Sequence, residues 1–437
     1  MHRAGVTSEK KAIAAASFLV VGLTSAAFAE DAKSSLLKQG SLTDTPDGPK
    51  AQLRKIGIMP DVWITQIYQG EIAGDASKTW RYGGKLDAFL KVDAHKLGLW
   101  QGLHLNAQYE HYFGRTINNT DLTLLPVSAA QAFVQRDGYH SALSIAVTQD
   151  FGESFSIGAG KVNTMTLASQ TPLIGGGGVE TFMNRAFAAP ATGIGVTSPG
   201  TLADRVVVSP TYTLGATATL KTQVGKFTLA VADPRNAQNS RVIENPFERG
   251  VVVSGTATIP IDVSGLRGYH TVRGAYSNAR GFDLDDIQGL RRRLVGGASV
   301  TKKGYWFISY ALQQYLFQSS DDPSIGWGLF SLITLTDGNP NPVKWTVLGG
   351  LAGNNLLPGR ELDRWGVGYF HYGLSESLLS GLAASGVYRR SESGVEAFYN
   401  YAVTPWLRLT ADLQIIDPWY ATTSRATFAA LRMQTKF

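Results

Sequence analysis

The chain has 437 residues, of which 44% are hydrophobic and only 17% are charged, and its net charge is +6. A mean hydropathy of −0.05 excludes a helical membrane protein, while soluble domains carry about 25% charge. Cysteine is absent, which excludes disulfides, thiolate nucleophiles and zinc–thiolate centres.

The N-terminus opens with Arg3, Lys10 and Lys11, runs through an apolar stretch from Ala12 to Phe28 and reaches Ala27-Phe28-Ala29. That order predicts a secretory signal peptide over 1–29. A membrane anchor is disfavoured by the small-residue exit and the polar Glu30-Asp31-Ala32-Lys33 that follows. Removing the peptide leaves a net charge of +4, since three of the 40 basic and one of the 34 acidic residues lie within it. So mild and dispersed a balance does not point to nucleic acid, and Arg291-Arg292-Arg293 reads as a solvated loop. Residues 30–56 form a short leader: a polar tail over 30–48, then a helix from Pro49 to Ile56 stopped by Gly57.

From 57 to 437 the chain reads as one domain with period two. Leu86, Ala88, Leu90 and Val92 alternate with Lys85, Asp87, Lys91 and Asp93. Leu103, Leu105, Ala107 and Tyr109 alternate with His104, Asn106, Gln108 and Glu110. Near the end, Leu407, Leu409, Ala411, Leu413 and Ile415 oppose Arg408, Thr410, Asp412 and Gln414. A two-layer sandwich also alternates. The strands, however, run about 10 residues, the span of a tilted membrane strand. Tyr and Trp recur near strand ends, among them Trp63, Tyr68, Trp80, Tyr82, Tyr112, Trp365 and Tyr401, as in the interfacial girdles of a barrel. Tight connections such as Thr404-Pro405 alternate with longer ones such as 417–424. The expected fold is therefore all-β: a transmembrane antiparallel β-barrel of about 16 strands, with 18 possible from length, and a short helix before the first strand. Arg432 on the lipid face would cost about 2–4 kcal/mol near the midplane. The charges therefore point inward, and barrels of this size enclose an aqueous channel.

Other motifs carry little chemistry. The run Gly175–Gly178 lacks the Gly-Lys-Ser/Thr ending of a phosphate loop. It opens a long Gly/Pro/Ala-rich connection from Thr171 to Asp204, for which folding into the lumen and an ordinary extracellular loop both remain open. The histidines show no metal spacing, and His104 and His111 read as pore-wall or rim residues. No G-x-S-x-G elbow is present. Inward carboxylates could pair as a glycosidase acid and nucleophile, but polar barrel walls carry such groups anyway. Neither cofactor nor metal is expected.

The chain resembles the carbohydrate-selective porin family of OprB type. The likeness is carried by Ile56-Gly57-Ile58, the strand from Trp63 to Tyr68, Tyr82-Gly83-Gly84, the stretch DAHKLGLWQG over 93–102 and Gly326-Trp327-Gly328-Leu329-Phe330. It is clearest in PGRELDRWGVGYFHYGLS at 358–375 and GVEAFYNYAVTPWLRLTADLQIIDP at 394–418, and weakest over about 170–300. The resemblance implies a 16-stranded outer-membrane barrel for diffusion of glucose and related sugars. The final Phe437 resembles the signal by which bacterial outer-membrane barrels engage their assembly machinery. Partners would then be outer-membrane lipid, sugars in transit and that machinery.

A hydrated sugar needs many exchangeable hydroxyl partners, which Arg, Asp, Glu, Asn and Gln supply. Parity nominates Asp87, Asp93, Glu396, Asn400, Arg408, Asp412, Gln414 and Arg432 as pore-lining, with Phe398 as an inward aromatic. Arg360, Asp363 and Arg364 join them from the family-like patch, on the pore wall or at its rim. The expected function is passive carbohydrate diffusion across a Gram-negative outer membrane, without catalysis. The alternatives are an exported carbohydrate-active enzyme on a soluble β-scaffold and a general or structural barrel without sugar preference.

Overall fold

A strand with one apolar and one polar face can cross lipid only if its sheet closes, because an open edge would leave backbone N–H and C=O groups without partners. The computed structural model describes residues 36–437 apart from 76–77, 121–122, 133–139, 166–170, 176–177, 189–210, 237–243 and 287–299. Among these, sixteen antiparallel strands form one closed barrel. The first half comprises β1 (Ile58–Ala73), β2 (Trp80–Asp93), β3 (Leu103–Gly114), β4 (His140–Phe151), β5 (Phe155–Asn163), β6 (Tyr212–Lys221), β7 (Lys226–Ala232) and β8 (Val252–Val263). The second comprises β9 (Leu266–Phe282), β10 (Thr301–Gln318), β11 (Gly326–Thr336), β12 (Val343–Asn354), β13 (Arg364–Leu374), β14 (Glu392–Thr404), β15 (Leu407–Asp417) and β16 (Ala426–Lys436). Each strand pairs with its chain neighbours, and β1 closes on β16 with Trp63 opposite Lys436 and Gly70 opposite Ala429. The expected signal peptide and Arg291-Arg292-Arg293 lie outside the described residues.

Side-chain parity follows the sequence pattern. On β15, Leu409, Leu413 and Ile415 are exposed on the outer surface, whereas Thr410, Asp412 and Gln414 are buried inside. On β16, Leu431 is exposed and Arg432 is buried. Connections at one end are short, including 264–265 and 405–406, whereas those at the other reach 115–139, 164–211 and 283–300.

The helix before β1 is α1 (Pro49–Lys55), with Pro at its start and Gly57 in the left-handed region at φ 87° just beyond it. The residues from 36 to 48 are not a free tail. Leu42 N–H donates to the Lys436 carbonyl at 2.8 Å, and the Trp406 indole donates to the Leu36 carbonyl at 2.9 Å. Lys50 joins Asp61 at 2.9 Å and the Phe437 main-chain oxygen at 2.7 Å, fastening leader, first strand and C-terminus together.

Two aromatics expected in the outer girdle face inward instead. Trp63 packs on Phe89 at 5.0 Å and under the Lys436 ammonium at 4.6 Å, and Tyr112 bonds to the inward Glu110 at 3.1 Å. Being near a strand end is not enough; parity decides the face. His111 follows the same rule: it shares the outward parity of Tyr109 and Leu105 on β3, so it is not a pore-wall residue. Replacing Leu413 with Arg should destabilise the barrel by about 2–4 kcal/mol, measured by denaturant titration of the protein refolded in lipid vesicles. An unchanged midpoint would contradict the outward assignment.

Candidate functional site

The lumen is not an empty cylinder. Two segments of the long connections fold inward and pack on the wall made by β10, β11, β13, β14, β15, β16 and β1. The first, around 117–131, lies between β3 and β4; the second, 171–188, lies between β5 and β6 and includes the short helix α2 (Arg185–Ala188). They are bonded to each other, Ala129 N–H to the Met183 carbonyl at 2.7 Å and Arg185 N–H to the Pro126 carbonyl at 2.9 Å.

Two glutamates on the inner face of β14 hold these segments. Glu392 accepts the N–H groups of Leu124 and Leu125 at 2.6 and 3.1 Å. Four residues along, Glu396 accepts from the Met183 N–H and, at 3.0 Å, from the Asn184 N–H. Each carboxylate thus takes two consecutive backbone donors, which compensates for its removal from water. The amide of Gln414 completes the bridge, accepting from Asn184 Nδ2 at 3.0 Å and donating to the Val127 carbonyl at 2.8 Å and to Asp412 at 2.9 Å. Arg432 donates to the carbonyls of Gly178 at 2.7 Å and Thr181 at 2.9 Å and to the Thr410 hydroxyl.

An aromatic seat supports the second segment. Phe182 stacks on Phe187 at 4.4 Å and meets Phe398 edge-on at 4.8 Å, while Phe187 meets Phe370 at 5.7 Å. Glycines on the inner face of β13 make room for it. A Cβ at Gly366 would stand 2.7 Å from both Phe182 and Phe398, and one at Gly368 would stand 2.7 Å from Phe187.

An ionic contact pins the edge of the segment. Glu180 is paired with Lys436 and lies 3.7 Å from Arg364. Arg364 also donates to the Pro172 carbonyl at 3.4 Å, and Arg408 reaches the Leu362 carbonyl at 2.8 Å and Asn400 at 3.1 Å. Asn400 in turn donates to Thr410 at 2.8 Å. On the neighbouring strands β2 and β3 a separate buried network joins Lys85 to Asp87 at 3.0 Å and to Glu110 at 2.9 Å, with Gln108, Tyr112 and Tyr212 completing it.

The nominated residues therefore divide. Glu396, Phe398, Asn400, Asp412, Gln414 and Arg432 are inward but covered by the inserted segments, all at 5% exposure or less. They present supports to protein, not surfaces to solute. Asp87 is likewise enclosed in its own network. Asp93 caps a turn after β2, accepting the His95 N–H at 3.2 Å. Arg360 and Asp363 form a clamp at the short-connection rim, paired at 2.6 Å with the Arg360 guanidinium 4.0 Å above the outward Tyr401 ring. They belong to the rim and not to the wall. Arg364 and Arg408 keep partial exposure. Among the described residues no cluster of three or more His, Cys, Asp or Glu is arranged to hold a metal.

The carbohydrate-selective porin, OprB family profile matches residues 77–437. The chain belongs to this family. It is thus a β-barrel channel of the Gram-negative outer membrane that passes sugars, and it is not an enzyme. No curated relative matches the porin. In solved structures, the high-pH form of Pseudomonas putida OprB aligns with a TM-score of 0.76 at 18% identity, over 92% of this chain and 99% of that one. The low-pH form of the same protein gives 0.50 at 15% identity over the same shares. The outer membrane channel DcaP of Acinetobacter baumannii gives 0.51 at 9% identity, over 87% of this chain and 97% of that one. These likenesses bear on fold alone.

Sequence reasoning missed Glu392, Glu180, Phe182, Phe187, Gly366 and Gly368. The glycines carried a signal: at every second position on the inner face of a barrel strand, they mark a place where bulk arrives from elsewhere. Replacing Glu396 with Ala, or Gly368 with Val, should release the second segment and raise single-channel conductance in planar bilayers, with the barrel still formed. Conductance equal to wild type in both variants would contradict the seating described.

The rim clamp gives a pH dependence. Burial by itself would raise the Asp363 carboxyl, but Arg360, the Tyr399 hydroxyl and the Ala402 N–H outweigh it and hold it below the ordinary carboxylate range. Its contribution to stability is therefore present above the unfolded value near 4 and is lost as pH falls through the lowered folded value. Asp363→Asn should lose stability at neutral pH and show a flatter decline than wild type below about pH 4, read from denaturant midpoints.

Proposed function

We propose that this porin admits monosaccharide- or polyol-sized carbohydrates to the periplasm by passive diffusion along an off-centre path. The observation that carries the reading is the pair of inserted segments held against the β13-to-β1 wall by Glu392 and Glu396. They cover that side of the lumen, whereas the opposite wall stays partly exposed among the described residues. There the inner faces of β7, β8 and β9 present Thr228, Ser254, Thr256, Thr258 and Thr271, all partly exposed. Hydroxyls that donate and accept suit a hydrated sugar, and their neutral bonds exchange fast enough for exit. Arg364 and Arg408, partly exposed beside Glu180, are the nominated residues best placed to touch solute at the edge of the inserted segment.

Export by a cleaved peptide over 1–29 fits a channel of this location. Assembly through the last strand is consistent with Phe437, whose N–H donates to the Val62 carbonyl at 2.8 Å and so completes barrel closure.

Swelling of liposomes containing the purified porin should be faster in glucose than in a disaccharide of equal osmolarity. Deleting 174–200 should raise single-channel conductance and lessen that size discrimination. Unchanged conductance after deletion would overturn the off-centre path, and absence of glucose-driven swelling would overturn the sugar reading.

A further inference from the structure

Inside the barrel the two signs of charge are treated differently. Asp87, Glu110, Glu392, Glu396 and Asp412 are each exposed by 5% or less. Every one is engaged by Lys85, by neighbouring side chains or by backbone amides. Glu180, on the inserted segment, is held by Lys436 and Arg364. The carboxylates of the mid-lumen are thus sequestered in protein.

Two arginines are not. Arg185, on the inserted helix α2, is partly exposed as a residue, and its Nη1 is buried without a hydrogen-bond partner. Its electrostatic neighbours are the Tyr372 and Tyr212 hydroxyls, which belong to β13 and β6 on well-separated parts of the wall. Arg273 on β9 is also partly exposed. Its guanidinium lies 5.3 Å above the Phe307 ring, and among the described residues it has no acidic partner. The ladder joins Arg273 to β13 through a row of inward residues that climbs along the tilted strands. Arg273 stands opposite Ser309, which stands opposite Thr334, then Thr346, then Tyr372, whose hydroxyl lies within electrostatic reach of Arg185. Along this row the hydroxyls of Thr334 and Thr346 are buried and without partners.

From this arrangement we infer that the channel prefers anions through two unpaired guanidinium groups, Arg185 and Arg273, and that it favours sugar acids such as aldonates and uronates over neutral sugars of equal size. The inference rests on the sugar-channel reading and adds a charge preference to it. Guanidinium groups fit a carboxylate through two parallel N–H donors. Low-dielectric walls strengthen their attraction for anions above its value in bulk water. Because the two arginines stand on separate elements, they form no closed cage, and an anion passing from one to the other is not trapped.

The test uses the full mature porin in planar bilayers. Under a KCl gradient the reversal potential should show preference for chloride over potassium, and potassium gluconate should carry measurable anion current. The Arg185→Gln, Arg273→Gln double variant should lower the anion-to-cation permeability ratio by at least roughly twofold, while glucose-driven liposome swelling persists. Heat-dependent gel mobility checks that the variant folds. A wild-type channel that is unselective or prefers potassium overturns the inference, whatever the variant does. So does a folded variant whose permeability ratio is unchanged. Either result leaves the sugar reading standing if glucose still enters, whereas failure of glucose entry in wild type would strike that reading itself.

Discussion

Lipid supplies no hydrogen bonds, so every backbone donor and acceptor in a spanning strand needs a partner within the sheet. The rest of the molecule follows from that requirement. The sheet must close, and here β1 meets β16. Once it closes, side chains can point only to lipid or to lumen, and a shift of one residue exchanges the two sets. Leu431 and Arg432 are adjacent in sequence and opposite in environment for this reason. The leader reinforces the same seam, since Lys50 bonds both to Asp61 at the start of β1 and to the last residue of the chain.

A barrel of sixteen strands has more cross-section than one sugar needs, and strand number is a coarse way to adjust it. The porin narrows its lumen by lining one side with its own loops. Loop backbone carries many N–H groups that would be costly to bury unpaired. The wall answers with acceptors, Glu392 and Glu396, each serving two consecutive amides. Arg432 performs the reverse task for two loop carbonyls. Wall charges that could have faced water are consumed in fixing the loop.

This explains which parts of the molecule were legible in sequence. Fold class and parity were, because period two and the cost of charge in lipid are local properties of each strand. The inward placement of Glu396, Gln414 and Arg432 followed directly. Their roles did not follow, because burial inside a lumen depends on which loop arrives there, and that is a long-range fact. Glu396 and Met183 are distant in sequence, and nothing near either one announces the other. Trp63 and Tyr112 show a different limit, since aromatic content near a strand end was read as a girdle before parity was applied to it. Arg360 and Asp363 were open to wall or rim, and their three-residue spacing with a proline and glycine just before them suits a turn clamp. The spacing of Gly366 and Gly368 was readable in principle: glycine weakens a strand interior, so two on one face imply that something packs against them.

Sequestering acids while leaving arginines unpaired has a consequence for how such a channel discriminates. In a passive pore, tight binding slows exit as much as it favours entry, so selectivity must come from weak contacts spread along the path. A hydroxyl wall provides such contacts for any sugar. Isolated cations add a bias by charge without building a deep well, provided that no carboxylate stands beside them to neutralise their field. The inserted segments meet both conditions together. They cover the carboxylates of the wall with backbone amides, and they carry Arg185 into the lumen on the same stretch of chain.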